Sequence, residues 1–223
     1  MSTCSTASNN PAAKQHSPAV VYLDFDGVLH HHNVLWSTKR GPHLDASAHD
    51  VLFQHAELLL GLIRPYPDIR IVLSTSWVLK YGCYGAARRL PAELRARVIG
   101  ATFHSKMDRT TFEDAFRGMQ VWGDVYRRCP RDWFAIDDDY LQWPAWCRQN
   151  LVKAHPEKGI NVPETLDEIR VGLKRISAVN SIDYRLQLSR SPTSSGCFLG
   201  MVEPTRTSPC GATPCRARGP AGP

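Results

Sequence analysis

The stretch Val20-Val21-Tyr22-Leu23-Asp24-Phe25-Asp26-Gly27-Val28-Leu29 decides how the rest of the chain is read. Its apolar run, rich in β-branched and aromatic residues, predicts a buried strand. The run ends in two carboxylates separated by one residue, then a glycine. Side chains two apart on a strand point the same way, so Asp24 and Asp26 are expected to project together where the strand stops. Gly27 lets the chain turn away, because a residue without Cβ tolerates positive φ. Acids at the carboxyl end of a central strand lie where open α/β sheets bind ligands. Asp-x-Asp-Gly by itself also opens an ordinary polar turn, so the other strands must decide between the two readings.

A second strand, Ile69-Arg70-Ile71-Val72-Leu73, ends in Ser74-Thr75-Ser76-Trp77. Between the two lies Val51 to Ile63 with helical spacing, opened by the capping-box-like Ser47-Ala48-His49-Asp50 and stopped near Pro65. A third strand, Trp133 to Ile136, ends in Asp137-Asp138-Asp139 and follows a helical pattern from Arg117 to Arg128. Shorter segments fill the intervals: helices around Gly85 to Leu90, after Pro91 and near Phe112, strands at Val98 to Thr102 and Leu151 to Ala154, and a closing helix from Pro163 to Ile176. Strand and helix in alternation predict a parallel α/β sheet. All its strand ends then share one edge, which here collects two carboxylates, three hydroxyls and three carboxylates. Clustered carboxylates repel one another and a hard cation relieves the repulsion; oxygen ligands in an incomplete cage suit Mg²⁺. Hydroxyls and backbone N–H groups at the second strand end are expected to hold phosphate oxygens.

Asp24-Phe25-Asp26-Gly27-Val28 resembles the first motif of the haloacid dehalogenase (HAD) superfamily of phosphohydrolases, Leu73-Ser74-Thr75-Ser76 its second, and Ile136-Asp137-Asp138-Asp139 its fourth. The wording around them is similar to a small bacterial branch associated with RNA-repair proteins, over about residues 19 to 176. The resemblance implies a three-layer Rossmann-like, HAD-like parallel sheet with helices on both faces, as a catalytic domain over residues 18–180. It implies that Asp24 is the nucleophile that becomes an aspartyl-phosphate, and that Asp26 is the general acid and base. Mg²⁺ would be held by Asp24, Asp137, Asp138 and the backbone carbonyl of Asp26. The second-motif hydroxyl is best assigned to Thr75, with Ser76 or Ser74 assisting; a one-residue slip in the strand end changes the answer. The basic third-motif residue is assigned to Arg117, with Lys106 and Arg109 as rivals. Asp139 either touches a metal-bound water or caps the helix expected to follow. The cap insertions that select substrates in this superfamily fall at Leu29 to Asp68 and Trp77 to Arg117, both too small for a full lid, so the cap is minimal or absent.

The remaining features narrow the class. Of the formal charge of +6, half lies beyond Ser189, where Arg190, Arg206, Arg216 and Arg218 face Glu203 alone. Such mild basicity permits a phosphate-rich partner without establishing one. The seven cysteines are scattered, with no Cys-x-x-Cys, so neither a disulfide framework nor a zinc site is expected. No apolar run approaches the length of a membrane span, and a cytoplasmic protein that does not engage membranes is expected. Residues 1 to about 17 read as a disordered leader and 189–223 as a disordered Ser/Pro/Arg-rich tail. Three adjacent histidines, His30-His31-His32, cannot all face one ion on an extended chain, so they read as part of a polar flap.

The expected activity is therefore Mg²⁺-dependent phosphomonoester hydrolysis, on a phosphorylated small molecule such as a nucleotide, or on a nucleic-acid end. An open site suits a bulky substrate, and Lys80, Arg88, Arg89, Arg95 and Arg97, interleaved with Tyr81 and Tyr84, offer a basic aromatic rim for a strand. The alternative is a non-catalytic metal- or RNA-binding module of the same fold.

Overall fold

The structure, a computed structural model, describes residues 17–45, 50–141 and 143–178. The expected leader, the expected tail, and all of the capping-box segment except Asp50 lie outside the described residues. In chain order the elements are β1 (Val20–Leu23), β2 (Val34–Ser37), β3 (Gly41–Leu44), α1 (Ala56–Ile63), β4 (Arg70–Leu73), α2 (Trp77–Ala87), α3 (Ala92–Arg95), β5 (Val98–Ala101), α4 (Arg109–Asp114), α5 (Arg117–Arg128), β6 (Trp133–Asp137), β7 (Leu151–Lys153) and α6 (Pro163–Ala178).

Five strands form one parallel sheet in the order β5-β4-β1-β6-β7. Its central strand, β1, is fully buried at every position, as its unbroken apolar sequence requires of a strand covered on both faces. Alternate residues feed two cores. Val21 and Leu23 pack with α1, α2 and α6, whereas Val20 and Tyr22 pack with Val121 and Val125 of α5 and with Trp143. The chain runs outward from β1 to β4 and β5, then returns to β6 and β7 on the other side. The order therefore reverses between β1 and β6, which opens a crevice beyond their carboxyl ends.

Three local expectations change. The strand expected to carry Asp24 and Asp26 at its end stops at Leu23, because Val28 and Leu29 return their N–H groups to the Phe25 carbonyl and wind residues 25–29 into a turn. The helix predicted from Val51 begins at Ala56. Residues 52–55 are turns in which Phe53 adopts φ +63°, and its ring sits edge-on against Phe25 and Trp77 at 5.2 Å each. The helix predicted near Gly85 starts eight residues earlier, at Trp77, and is broken at Gly82 by φ +68°, ψ 169°. The flap after β1 is an antiparallel hairpin, β2–β3, whose Trp36 packs on Trp77 (4.9 Å) and Tyr81 (5.4 Å). Among the described residues it is the one pair of strands in the first insertion, in keeping with a minimal cap.

Candidate active site

The site follows from strand register. Leu23 pairs with Leu73 on one side and Ile136 on the other. One step on, Asp24 N–H donates to the Ile136 carbonyl (3.1 Å) and Ser74 N–H to the Leu23 carbonyl (2.9 Å), so the three strands end in step. Asp24, Ser74 and Asp137 thus follow in one row. Alternation turns that row toward the face of Tyr22, Val72 and Ala135, which α5 covers.

Arg117, the first residue of α5, reaches into the row. Its guanidinium lies 3.6 Å from Asp24 Oδ2 and 3.4 Å from Asp137 Oδ2, and it donates to the Ser74 carbonyl. Gly118 makes this approach possible: a Cβ there would meet Trp143 Cα at 2.9 Å and Pro144 Cδ at 2.8 Å. Of the rivals, Arg109 is exposed and paired with Glu113 at 2.9 Å, and Lys106 is exposed.

Asp24, Asp137 and Asp138 each offer one carboxylate oxygen, and the three oxygens lie within 4.8 Å of one another. Asp138 gets there by lying against the bare Cα of Gly27 (φ +67°); a Cβ on residue 27 would stand 2.2 Å from Asp138 Oδ2. Asp24 accepts from the Phe25 N–H at 2.8 Å and Asp137 Oδ1 from the Asp139 N–H at 3.1 Å. Asp137 Oδ2 is buried yet accepts no hydrogen bond among the described residues. Arg117 brings a single positive charge against three carboxylates, and the electrostatics register the shortfall. Burial pushes the Asp24 carboxyl up to about 7, opposed by Arg117 and the Phe25 N–H and assisted by Asp26 and Asp138. Burial raises Asp137 well above the usual carboxylate range, with Asp24 adding to the rise and Arg117 opposing it. Asp138 is raised as well, chiefly by burial, with His32 pulling it back. Burial alone would lower Arg117, but Asp24 and Asp137 outweigh it and hold the guanidinium above its ordinary value. An all-oxygen donor set with one unsatisfied buried oxygen and surplus negative charge fits a hard divalent cation.

Asp26 goes elsewhere. Since β1 has already ended, its side chain is not part of the three-carboxylate group, contrary to the expectation that Asp24 and Asp26 project together. Its Oδ1 accepts from Trp77 Nε1–H at 2.8 Å and faces His30 Nε2 at 3.0 Å, while Oδ2 lies 3.5 Å from Ser76 Oγ.

The three hydroxyls of the second strand end part company. Ser74 is buried in the row with Asp24 and Asp137, and its Oγ has no hydrogen-bond partner among the described residues. Thr75, the residue preferred from the sequence, is buried too, and its Oγ1 accepts from the Trp77 N–H at 3.4 Å as α2 begins. Ser76 is exposed beside Asp26. Asp139 caps a turn rather than a helix: its Oδ1 accepts from the Leu141 N–H at 3.0 Å, and its carbonyl accepts from Trp143 Nε1–H at 2.7 Å.

The basic rim is divided. Lys80 sits over the Trp36 ring at 4.0 Å and Arg89 over Tyr81 at 4.9 Å, while Arg88 lies 5.9 Å from the centre of Tyr84, which is strongly exposed. Arg97 instead turns inward and donates to the Tyr66 carbonyl, tying β5 to the loop before β4. His30 and Trp77 are the site residues that sequence reasoning missed. His30 was grouped with its two neighbours, and Trp77 was read only as the end of a hydroxyl run.

A parallel sheet with carboxylates converging at its switch point, and a cation reaching in from the next helix, defines a Rossmann-like HAD domain. The chain belongs to that superfamily: the sequence model of the family described as the HAD domain in Swiss Army Knife RNA repair proteins matches residues 20–165. A comparison with curated proteins found no match. Membership implies phosphohydrolase-type function. Among the described residues no helix is long and apolar enough to cross a membrane.

Proposed function

We propose that the protein is a Mg²⁺-dependent phosphomonoesterase that works through an aspartyl-phosphate on Asp24 and acts on the phosphorylated ends of nucleic acid. The observation that carries this reading is Arg117 set between Asp24 and Asp137, with three carboxylate oxygens drawn within 4.8 Å. Asp24, Asp137, Asp138 and the Asp26 carbonyl are the groups that would hold Mg²⁺, which when bound would offset phosphate charge. An Asp24 oxygen attacks phosphorus while the ester P–O bond breaks, and Asp26 gives its proton to the departing oxygen. Asp26 then takes a proton from water as that water attacks phosphorus and the bond to Asp24 breaks. Phosphate is released and both acids return to their starting forms. Arg117 neutralises part of the phosphoryl charge throughout, and Ser74, Thr75 and Ser76 with their N–H groups are the candidate phosphate contacts.

A nucleic-acid end is favoured over a small phosphate ester on two grounds. The family is described by its occurrence in RNA-repair proteins. Among the described residues the insertions beside the site add a hairpin and short helices to the sheet strand β5, with Trp36 on the hairpin and Lys80 and the exposed Tyr84 on α2 offered for stacking and phosphate contact. The test is a panel of 4-nitrophenyl phosphate, mononucleotides, sugar phosphates, and 3′- and 5′-phosphorylated oligoribonucleotides, with and without Mg²⁺. Phosphate release from oligonucleotide ends that needs the metal and disappears in Asp24→Asn is the expected result. RNA retention that weakens with salt, is indifferent to Asp24→Asn and is accompanied by no turnover would establish a binding module instead.

A further inference from the structure

We infer that His30 and Trp77 are positioning residues that clamp one oxygen of Asp26, so that the other alone carries the proton exchanged with the leaving group. The inference rests on the phosphatase reading of Asp26 and extends it to two side chains outside the acidic group. His30 is fully buried, with its ring edge-on to Phe53 at 4.9 Å and near Trp77 at 6.0 Å. Its Nδ1 accepts from the Phe53 N–H at 3.3 Å. A ring nitrogen that accepts from an amide carries no proton, so the imidazole proton sits on Nε2 and is donated to Asp26 Oδ1 at 3.0 Å. Indole nitrogen is also a donor only, and Trp77 Nε1–H points at the same oxygen from 2.8 Å.

Two N–H groups aimed at Oδ1 leave no room for a proton there. When Asp26 is in its acid form, the O–H is therefore on Oδ2. That oxygen is the one facing Ser76 Oγ, at the exposed start of α2. The clamp chooses the oxygen and fixes the carboxyl plane, which on a turn would otherwise rotate. Phe53 serves the same arrangement, since its left-handed backbone (φ +63°) presents its N–H to Nδ1. Asp26 loses the Oδ2 proton to the ester oxygen as the P–O bond breaks, and regains one from the water that replaces the alcohol.

Three variants separate orientation from packing. Trp77→Phe keeps a ring but removes the indole N–H. His30→Asn keeps an acceptor for the Phe53 N–H, but its amide N–H stops short of the Nε2 position that reaches Asp26. His30→Gln keeps a donor near the Nε2 position. Each is compared with wild type by kcat/KM on 4-nitrophenyl phosphate, whose leaving group departs without a proton, and on benzyl phosphate, whose alcohol needs one. In Trp77→Phe and His30→Asn the preference for the aryl over the benzyl ester should rise by about 10-fold or more, and in His30→Gln by less than about 3-fold, given that a positioned acid contributes about 10²–10⁴-fold. A preference unchanged in Trp77→Phe and His30→Asn overturns the clamp while leaving the phosphatase reading intact. A wild-type protein that with Mg²⁺ releases phosphate neither from these esters nor from oligonucleotide ends overturns the phosphatase reading and the proton-donor role with it. The hydrogen-bond pattern has its own readout in ¹H–¹⁵N spectra of the wild type. His30 should show the Nε2–H tautomer and the Trp77 indole proton should move in Asp26→Asn; an Nδ1–H ring, or an indole that does not respond, overturns the clamp whatever the activity.

Discussion

Two buried carboxylate sites flank the same strand, and they are built to opposite specifications. Asp124, on the inner face of α5, is buried and fully answered. Its Oδ2 accepts from Tyr22 O–H (2.9 Å) and Arg128 Nε (2.7 Å), and its Oδ1 from Arg128 (3.1 Å) and Arg127. Two arginines therefore surround one acid. At the strand ends the proportion is inverted: Arg117 faces three acids, and one Asp137 oxygen accepts no hydrogen bond among the described residues. Burial of a charge is tolerated when partners replace the lost water, and is destabilising when they do not. The first arrangement fastens α5 to β1. The second leaves negative charge for something the described residues do not supply.

The sharpest break between the two sites is obtained by neutralising one acid in each. Asp24→Asn should abolish turnover, by on the order of 10⁴-fold or more for loss of a nucleophile, yet raise the metal-free melting temperature at pH 8, because an uncompensated buried charge is gone. Asp124→Asn should do the reverse, lowering stability by about 3 kcal/mol as Tyr22 and the two arginines lose their partner. Thermal melts beside a phosphate-release assay read both; equal shifts of the same sign would erase the distinction.

The pH dependence tests the same shortfall in the intact chain. Folded Asp24 holds its proton up to about pH 7, whereas an unfolded aspartate releases it near its ordinary value of 3.8. Between those limits the folded state binds more protons, so metal-free stability should fall as pH rises through that window, by on the order of 4 kcal/mol from Asp24 alone. Denaturant titrations at pH 5 and pH 8, which span about two of those pH units, should differ by about 3 kcal/mol. Mg²⁺ should recover about 2.7 kcal/mol at a hundredfold excess over Kd, at pH 8 and in Asp124→Asn alike, but not in Asp24→Asn.

Gly27→Ala should cost about 2–3 kcal/mol, combining a positive-φ penalty with the collision at Asp138. It should also weaken Mg²⁺ binding measured by calorimetry, since Asp138 must move. The smallest effect is expected for Asp139→Asn, under about 0.5 kcal/mol by thermal melt, because an amide oxygen still accepts from Leu141 N–H.

Much of the architecture was legible in the sequence for a simple reason. The parallel strands are buried on both faces, so Val20 to Leu23 and Trp133 to Ile136 are continuous apolar runs whose polar stops mark the sheet edge. Chain order then brings Asp24 near Asp137. Arg117 was legible because a helix feeding β6 has to begin above that edge. What failed was local. Phe25, Val28 and Leu29 in the turn are as buried as the strand before it, so the apolar pattern does not reveal that β1 ends at Leu23 and not beside Asp26. The start of α1 was misjudged because Val51 to His55 keep helical spacing while Phe53 adopts a conformation set by distant rings. The partners of Asp26 depend on that turn and on the first residue of α2, neither of which periodicity describes.

The contact between Gly27 and Asp138 has a consequence for how this site drifts over generations. A carboxylate occupies the space that any β-carbon at residue 27 would need, so the two loops interlock although they are distant along the chain. Neither position is free to mutate first: enlarging residue 27 requires a shortened or absent side chain at 138, which forfeits an acid. The pair should behave as one inherited unit, non-additive in a double-mutant cycle, although the left-handed backbone at residue 27 (φ +67°) still favours glycine once the acid is gone.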